Sequence, residues 1–544
     1  MKRRLLAAIL VVSLALVLVA ACTPVDQEPA ARPGTGADTQ PPGAAPPPVG
    51  TGGVDMTEPA PEGAVFQEHL DLILDNNAIA VLNVFSPAGG TSSAGWAVRL
   101  IHDSLVYFIG DGEYAPMLAN SWTTSDYKTF SFYLRDDVYF HNGEKFNADS
   151  VVFTANMSSE FPGTNGHDVW RTVESIRAID EYTVEIVLND VNVEFLFELS
   201  NPWGAIHSER AFNTDRETFG QIGTGPFKVT AFSTNDYVDL ARFDDFWGDI
   251  PPTQSINMRF IPEPATRLMM MENFEADLCF ALGPEDIAIL DANPDFEIIP
   301  LAFNNPNILG FNLADPIVGD YNFRMAVAHA ICSEEIAIAA AGEWAAQVFD
   351  MTNVWGLDQE FRNPNTRHIT QDIELAKEYL ANSSYNGETI ELAAAIITNV
   401  RAAEAIQQML RVIGINTEIN QMDAPGLNAY AQFGANQTQM FVFVSATRFN
   451  AGSIANLYRP YGPQNRWEMN DPDIIALLDR AAATTDVRER EALYMELQEI
   501  ISQNPPALNI FWRLNGVAAR TNMGGFNLRS DMMYNLRGIF RIAD

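Results

Sequence analysis

The residues best suited to catalysis or metal binding are scattered along the chain. The seven histidines form neither an H-E-x-x-H motif nor an i, i+4 pair, and the three cysteines form no C-x-x-C motif. A G-x-S-x-G nucleophile motif and a Walker phosphate loop are also missing from the sequence. The histidines are His69, His102, His141, His167, His207, His329 and His368. We therefore predict that the protein is not an enzyme and that it uses no cofactor and no metal.

One cysteine has a context that predicts chemistry of a different kind. Cys22 follows the basic residues Lys2-Arg3-Arg4, the apolar run Leu5 to Ala21 and the small residues Ala20 and Ala21. This arrangement predicts a signal peptide, residues 1–21, cleaved before a cysteine whose thiol receives a lipid. An uncleaved membrane helix would need about 20 apolar residues, and this run ends sooner. We expect an extracytoplasmic protein anchored to the membrane through lipidated Cys22.

Residues 22–64 predict a flexible tether between that anchor and a folded body. Ten prolines and seven glycines occur between Thr23 and Ala64. So few apolar groups cannot offset the entropy of ordering the chain, which makes this segment a disordered linker.

The composition of the whole chain limits its partners. With 33 basic and 70 acidic residues the formal net charge is −37, which disfavours nucleic acid. The hydrophobic content of 47% in 544 residues indicates two or more large cores. We expect a monomer. A disulfide between Cys279 and Cys332 is left open by the sequence.

Residues 118–157 form a dense block of structural signals. Phe130, Phe132 and Leu134 alternate with polar residues, as in a half-buried strand, and Asn147 can cap the helix that follows. The block resembles the diagnostic segment of family 5 of the bacterial extracellular solute-binding proteins, the oligopeptide- and dipeptide-binding lipoproteins of ABC transporters. The matching residues are Ala119, Ser121, Trp122, Asp126, Leu134, Arg135, Phe140, His141 and Gly143.

Further blocks extend this resemblance over most of the chain from Ala64 to Phe526. The stretch Gly223-Thr224-Gly225-Pro226 resembles a family turn; because Pro226 has no N–H to donate and a third glycine is missing, we predict a structural turn and not a phosphate loop. The segment Arg324 to Ile336 resembles a family helix, with Cys332 where aspartate is usual. His141 is expected to be a structural hydrogen-bonding residue and not a base.

The resemblance implies an α/β fold: a type II, two-lobed clamshell like that of periplasmic binding proteins, with mixed sheets and an extra subdomain. Lobe I would combine residues 65–96, 209–300 and 513–544. Subdomain II would span residues 97–208 and lobe III residues 301–512. Crossing segments would join the lobes around a buried ligand.

The same resemblance implies a receptor that delivers an oligopeptide or a similar small solute to an ABC permease and its ATPase. Segments 83–93, 304–312, 444–450 and 459–467 would line the cleft. Within them we expect ligand contacts from Asn83, Phe85, Ser86, Asn312, Arg448, Phe449, Asn465 and Trp467.

Arg448 occupies the approximate place where peptide-binding members present a carboxylate to the peptide amino group. A cation there would repel free peptides. Oligosaccharides, blocked peptides, opines and metal chelates therefore stay open as ligands. A ligand sensor with the same clamshell is the alternative function, and it would not depend on a permease.

Overall fold

The computed structural model describes residues 61–543 except 75–78, 87–91, 111, 163, 281, 343–344, 347–350, 356–359, 435, 446–450, 461–463 and 529–533. The strands are β1 (His69–Ile73), β2 (Val106–Gly110), β3 (Glu113–Pro116), β4 (Ala119–Thr124), β5 (Thr129–Leu134), β6 (Val173–Asp180), β7 (Thr183–Leu188), β8 (Phe227–Ser233), β9 (Tyr237–Arg242), β10 (Ser255–Arg259), β11 (Leu278–Cys279), β12 (Phe296–Phe311), β13 (Ala345–Ala346), β14 (Thr389–Ala394), β15 (Asn416–Gln421), β16 (Met440–Val444), β17 (Ala507–Arg520), β18 (Met523–Gly524) and β19 (Phe540–Arg541).

The helices are α1 (Ser92–Ile101), α2 (Ala148–Ser158), α3 (Asn165–Trp170), α4 (Phe195–Ser200), α5 (Glu209–Thr214), α6 (Pro264–Glu272), α7 (Pro284–Asp291), α8 (Tyr321–Ala330), α9 (Ser333–Ala341), α10 (Ile373–Ala381), α11 (Ile397–Val412), α12 (Ala424–Tyr430), α13 (Ala455–Tyr458), α14 (Pro472–Ala483) and α15 (Val487–Gln503). Short 3₁₀ helices are Pro202–Gly204, Phe219–Gln221 and Ala451–Ile454. None of the helices in the described part of the chain is long and apolar enough to cross a bilayer.

Two long strands connect the halves of the molecule. Within the described residues, the largest sheet has the order β15-β14-β16-β12-β17-β11-β1-β10-β9-β8, with β13 also paired to β17. The strands β12 and β17 run antiparallel across its middle, with Pro300 opposite Gly516. One end of this pair contacts β16 and the other contacts β11. The predicted lobe boundaries at 300/301 and 512/513 fall within these strands, so the crossing segments belong to one antiparallel ladder, whose register shifts between Ala302 and Pro306.

The extra subdomain has its own sheet and its own core. Strands β4-β5-β7-β6 form an antiparallel sheet, and Phe130, Phe132 and Leu134 of β5 all point into the core, as their alternation predicts. Helix α2 begins where expected, because the Asn147 side chain accepts a hydrogen bond from the Ser150 N–H in a capping box. The resulting core lies between this sheet and the helices α2 to α5.

The start of this subdomain differs from the predicted boundary at 96/97. That boundary falls inside α1, whose residues Trp96, Ala97, Leu100 and Ile101 belong to one hydrophobic cluster with β1. Val98 of the same helix packs in the subdomain II core, so α1 lies where the two cores meet. We therefore propose that lobe I continues to Ile101 and that the chain enters subdomain II after it.

The glycine-rich turn is structural, as predicted. A Cβ at Gly223 would lie 2.1 Å from the Ile101 carbonyl oxygen, and the Gly225 N–H donates to that same oxygen at 2.8 Å. His141 joins this contact: its Nδ1 accepts from the Gly223 N–H at 3.3 Å, and its Nε2 lies 2.9 Å from the Gly225 carbonyl oxygen. The turn therefore closes on the end of α1, and His141 has the structural role that we expected.

The disulfide that the sequence left open is not formed. Cys279 is buried on β11 among lobe I residues such as Ile73 and Met271, whereas Cys332 is buried just before α9 in lobe III. The two thiols belong to different cores, which keeps them apart.

Candidate ligand-binding cleft

Three of the predicted functional residues lie outside the described residues. These are the lipidation site Cys22 and the cleft residues Arg448 and Phe449. Their roles stay predictions.

The predicted loop after β1 is held by its own hydrogen bonds and by aromatic packing. The Asn83 Oδ1 accepts from the Phe85 N–H at 2.9 Å, and the Ser86 N–H donates to the Asn83 carbonyl oxygen at 3.1 Å. Phe85 is buried and packs against the rings of Phe161 and His207. Asn83 and Ser86 are half-buried and keep atoms at the surface, whereas the Phe85 side chain is covered by protein.

The described residues predicted for lobe III are buried as well. The Asn312 amide donates to the Thr438 carbonyl oxygen at 2.9 Å. The Asn465 amide donates to the Arg459 and Met469 carbonyl oxygens, and Trp467 packs against Phe443 and Tyr458 with no exposed surface. In this conformation these three side chains hold loops and core together.

A cavity of about 560 Å³ separates subdomain II from lobe III. One wall is formed by the β2–β3 hairpin, by β4 and the turn after it, and by the start of α4. The opposite wall is formed by Glu360 and by Val487 and Arg490 of α15. Aromatic rings dominate the first wall: Phe108, Tyr114, Trp122, Tyr127 and Phe197. The size and the apolar lining are typical of a small-molecule site.

Backbone geometry lets the hairpin approach lobe III closely. Gly110 and Gly112 at its turn have φ of 113° and 74°, which other residues rarely adopt. The Gly112 Cβ position lies 4.0 Å from the Glu360 Oε1, so a side chain there would enter the cavity.

The charged groups of the cavity come from both walls. Glu194 precedes α4, and a Cβ at Gly452 of lobe III would lie 3.0 Å from its Cγ. The Glu360 carboxylate lies 3.8 Å from the Arg490 guanidinium and accepts from the Ala451 N–H at 3.4 Å. Burial, together with the Glu194 charge, raises the pKa of Glu360 to about 7.

These charged residues were missed by sequence reasoning. Arg490 had a usable signal, because it shares a buried face of α15 with Leu493, Tyr494 and Leu497 at helical spacing. A cationic side chain on the apolar face of a helix predicts an anionic partner in the interior. Glu360 and Glu194 carry no comparable pattern, since their proximity depends on how subdomain II and lobe III meet.

A second buried polar centre lies where the chain enters subdomain II. The fully buried Asp103 accepts from the Thr224 hydroxyl and the Trp247 Nε1, both at 2.8 Å, and its other oxygen lies 2.6 Å from the Arg537 guanidinium. The rings of His102 and His207 pack beside it at an interplanar angle of 55° with centroids 4.6 Å apart, and burial lowers the pKa of both. This centre joins four distant segments of the chain.

The described residues contain no group of three His, Cys, Asp or Glu side chains arranged to hold a metal ion. The charged groups at the cavity are instead two carboxylates and one guanidinium, which suit recognition of a polar organic group.

A comparison with known families gives one match that covers most of the folded body. Residues 113–467 match the middle region of the bacterial extracellular solute-binding proteins, family 5. The matched part includes the cavity-lining residues from Tyr114 to Glu360 and excludes Phe108, Gly110 and Gly112 before it and Val487 and Arg490 after it.

Individual relatives are similar over nearly their whole length. The chain is 24% identical to the dipeptide-binding protein of Escherichia coli over 462 residues, which cover 77% of this chain and 85% of that protein. The solved structure of the Helicobacter pylori periplasmic binding protein DppA with the peptide STSA has a TM-score of 0.72 at 23% identity, covering 88% and 99% of the two chains. The structure of NikA from Brucella suis with Fe(III)-EDTA has a TM-score of 0.77 at 21% identity, covering 87% and 100%. The predicted two-lobed fold is confirmed by these likenesses.

Proposed function

The chain belongs to family 5 of the bacterial extracellular solute-binding proteins, and on that basis we propose that it is the solute receptor of an ABC importer. It captures a small solute between its lobes and presents it to a membrane permease, while separate subunits hydrolyse ATP. The observation that carries this proposal is the 560 Å³ cavity, whose walls come from subdomain II and from lobe III.

Closure follows from the way the lobes are connected. Rotation of the lobes would bend the backbone ladder between β12 and β17, whereas each lobe keeps a separate core. A solute that contacts both walls stabilises the closed arrangement by its differential affinity for that state. The permease would then recognise the closed form.

The ligand is proposed to be an oligopeptide or a similar small solute. The names of relatives and solved structures refer to dipeptides, glutathione, the peptide STSA and Fe(III)-EDTA, so the fold accommodates several chemical classes. Oligosaccharides, opines and metal chelates therefore belong in the same screen. Simple dipeptides are expected to bind weakly in the orientation of the peptide-binding relatives, because that orientation would place the free amino group beside the cationic Arg448, which lies outside the described residues.

A ligand screen tests the receptor function. A solute that binds only the folded, closed form adds about 2.7 kcal/mol at a hundredfold excess over its dissociation constant. We expect thermal-shift measurements with peptides, glutathione, oligosaccharides, opines and metal chelates to give at least one clear rise in Tm. Small-angle scattering should show a smaller radius of gyration with the same compound.

The blocking variant is Gly112→Trp, whose side chain would project into the cavity from an exposed turn and whose φ of 74° costs a residue other than glycine about 1–2 kcal/mol, so its own Tm should be lower. We expect it to lose the Tm shift while keeping its own melting transition. A screen in which no compound shifts the Tm, or a hit without compaction, would count against the receptor proposal.

Membrane anchoring through Cys22 is a separate prediction. Because lipid transfer needs the thiol, Cys22→Ala should abolish lipidation. In detergent phase partitioning, the wild type should enter the detergent phase and the variant should stay in the aqueous phase. Thr23→Ala is the control and should behave like the wild type; equal partitioning of all three proteins would mean that Cys22 is not the anchor.

A further inference from the structure

The cavity between the β2–β3 hairpin and α15 combines aromatic walls with an excess of carboxylates. We infer that it receives an organic cation, an ammonium or guanidinium group attached to an apolar or aromatic body. This inference rests on the proposed function and names the chemical class of the solute at that site.

The aromatic wall is preorganised to receive the apolar body. Phe108 packs edge-on against Phe197 at 5.1 Å between ring centroids and contacts Tyr114 at 5.4 Å. These rings support one another, so their positions are already ordered before a solute binds. Rings of this kind also attract a cation through their π-systems.

With Glu360 ionised, the two carboxylates and one guanidinium that line the cavity sum to −1. The Glu360 carboxylate accepts from the Ala451 N–H at 3.4 Å. The Glu194 backbone is fixed at the start of α4, where its N–H donates to the Asn192 side chain at 2.9 Å. A bound monovalent cation would neutralise the site, and desolvation would strengthen each charge-assisted hydrogen bond.

The alternatives fit this lining less well. An anion drawn to Arg490 would also face Glu360, whose carboxylate lies 3.8 Å from that guanidinium. A bare divalent ion would find few oxygen ligands on a wall made of Phe108, Phe197 and Trp122. An organic cation uses both the carboxylates and the rings.

Binding of a cation should be coupled to release of the proton from Glu360. The groups that face this carboxylate are Glu194 before α4, Tyr114 of β3, and Arg490, Glu491 and Tyr494 of α15. With the pKa of Glu360 raised to about 7, a cation must displace a proton at lower pH. Its affinity should fall about tenfold from pH 8 to pH 6.

The test uses two probes of matched shape and different charge. They are 4-phenylbutylamine, which is a cation throughout this pH range, and 4-phenyl-1-butanol, which is neutral. Binding to the mature full-length protein is measured by titration calorimetry at pH 6, 7 and 8. We expect the amine to bind at least tenfold more tightly than the alcohol at pH 8, and the pH dependence to appear for the amine alone.

Isosteric variants assign the effect to the cavity. Glu194→Gln and Glu360→Gln should each weaken the amine at least tenfold without changing the alcohol, and Glu360→Gln should remove the pH dependence. Glu489→Gln is the control. Glu489 is exposed and precedes Arg490 in the chain, so this substitution removes the same charge outside the cavity. A thermal melt of each variant confirms that it is folded.

Three outcomes overturn the inference. The first is equal affinity for both probes, and the second is no binding of either probe at a 10-fold molar excess over protein at millimolar concentration. The third is a Glu489→Gln control that loses as much affinity for the amine as the cavity variants do. The proposed function can survive these outcomes, because compounds from the ligand screen would still shift the Tm and compact the protein. If the screen also fails, the receptor proposal itself is wrong.

Discussion

Replacing Asp103 with asparagine is expected to lower the free energy of unfolding by about 3–5 kcal/mol. The Asp103 side chain is fully buried and faces Arg537, whose side chain is 13% exposed. Asparagine keeps the shape but removes the charge, which leaves the guanidinium without its buried counter-charge and places an N–H donor beside the donors of Thr224 and Trp247. Urea unfolding or calorimetry of the mature protein measures the loss.

The control for this prediction is an ion pair of similar length at the surface. Arg242 lies 2.8 Å from Asp244, whose side chain is 77% exposed, and exposed pairs contribute only about 0–1 kcal/mol. Asp244→Asn should therefore be nearly neutral. The double variant Asp103→Asn, Arg537→Met should cost less than the two single changes together, since both members of the pair are then gone. Similar stabilities of Asp103→Asn and Asp244→Asn would contradict the role of the buried centre.

Glu360→Gln is expected to stabilise the protein increasingly as the pH rises from 5 to 8. The folded-state pKa of Glu360, about 7, lies above its ordinary value of 4.5. Between these two pKa values the folded state therefore binds more protons than the unfolded state. Ionisation of Glu360 then lowers the free energy of unfolding as the pH rises through this interval. The group is partly solvated, so the difference between variant and wild type should grow by up to about 3 kcal/mol and level off above pH 7.

The Tm of both proteins across this pH range gives the measurement. The difference in Tm between variant and wild type cancels the contribution of the buried histidines. Their lowered pKa values change stability with pH in the opposite sense, but equally in both proteins. Glu489→Gln should give a flat difference curve. A flat curve for Glu360→Gln as well would mean that this carboxylate ionises normally.

Local signals predicted the elements around the family block correctly. The alternation of Phe130, Phe132 and Leu134 determined which face of β5 is buried, and the Asn147 side chain determined where α2 begins. Such features depend on neighbours in the chain, so a short stretch of sequence contains all the information they need.

The ligand contacts predicted from the sequence stay predictions, and the reason is again physical. Asn312, Asn465 and Trp467 are expected to face a ligand because of their place in the family pattern. A buried asparagine amide that caps a loop and one that binds a solute have the same sequence context. Only packing decides which role applies.

The sequence by itself determined the class of this protein: an α/β solute-binding protein with no catalytic motif, preceded by a predicted lipid-anchor signal. The solute-binding class follows from the resemblance to family 5, whose matching blocks, such as residues 118–157, consist of residues close together in the chain. The tertiary structure alone decided which charges meet, because Glu194, Glu360 and Arg490 lie far apart in sequence and on elements that come together between subdomain II and lobe III. The same holds for Asp103 and Arg537. Electrostatic interaction depends on distance and burial in space, and neither quantity is written in the spacing of residues along the chain.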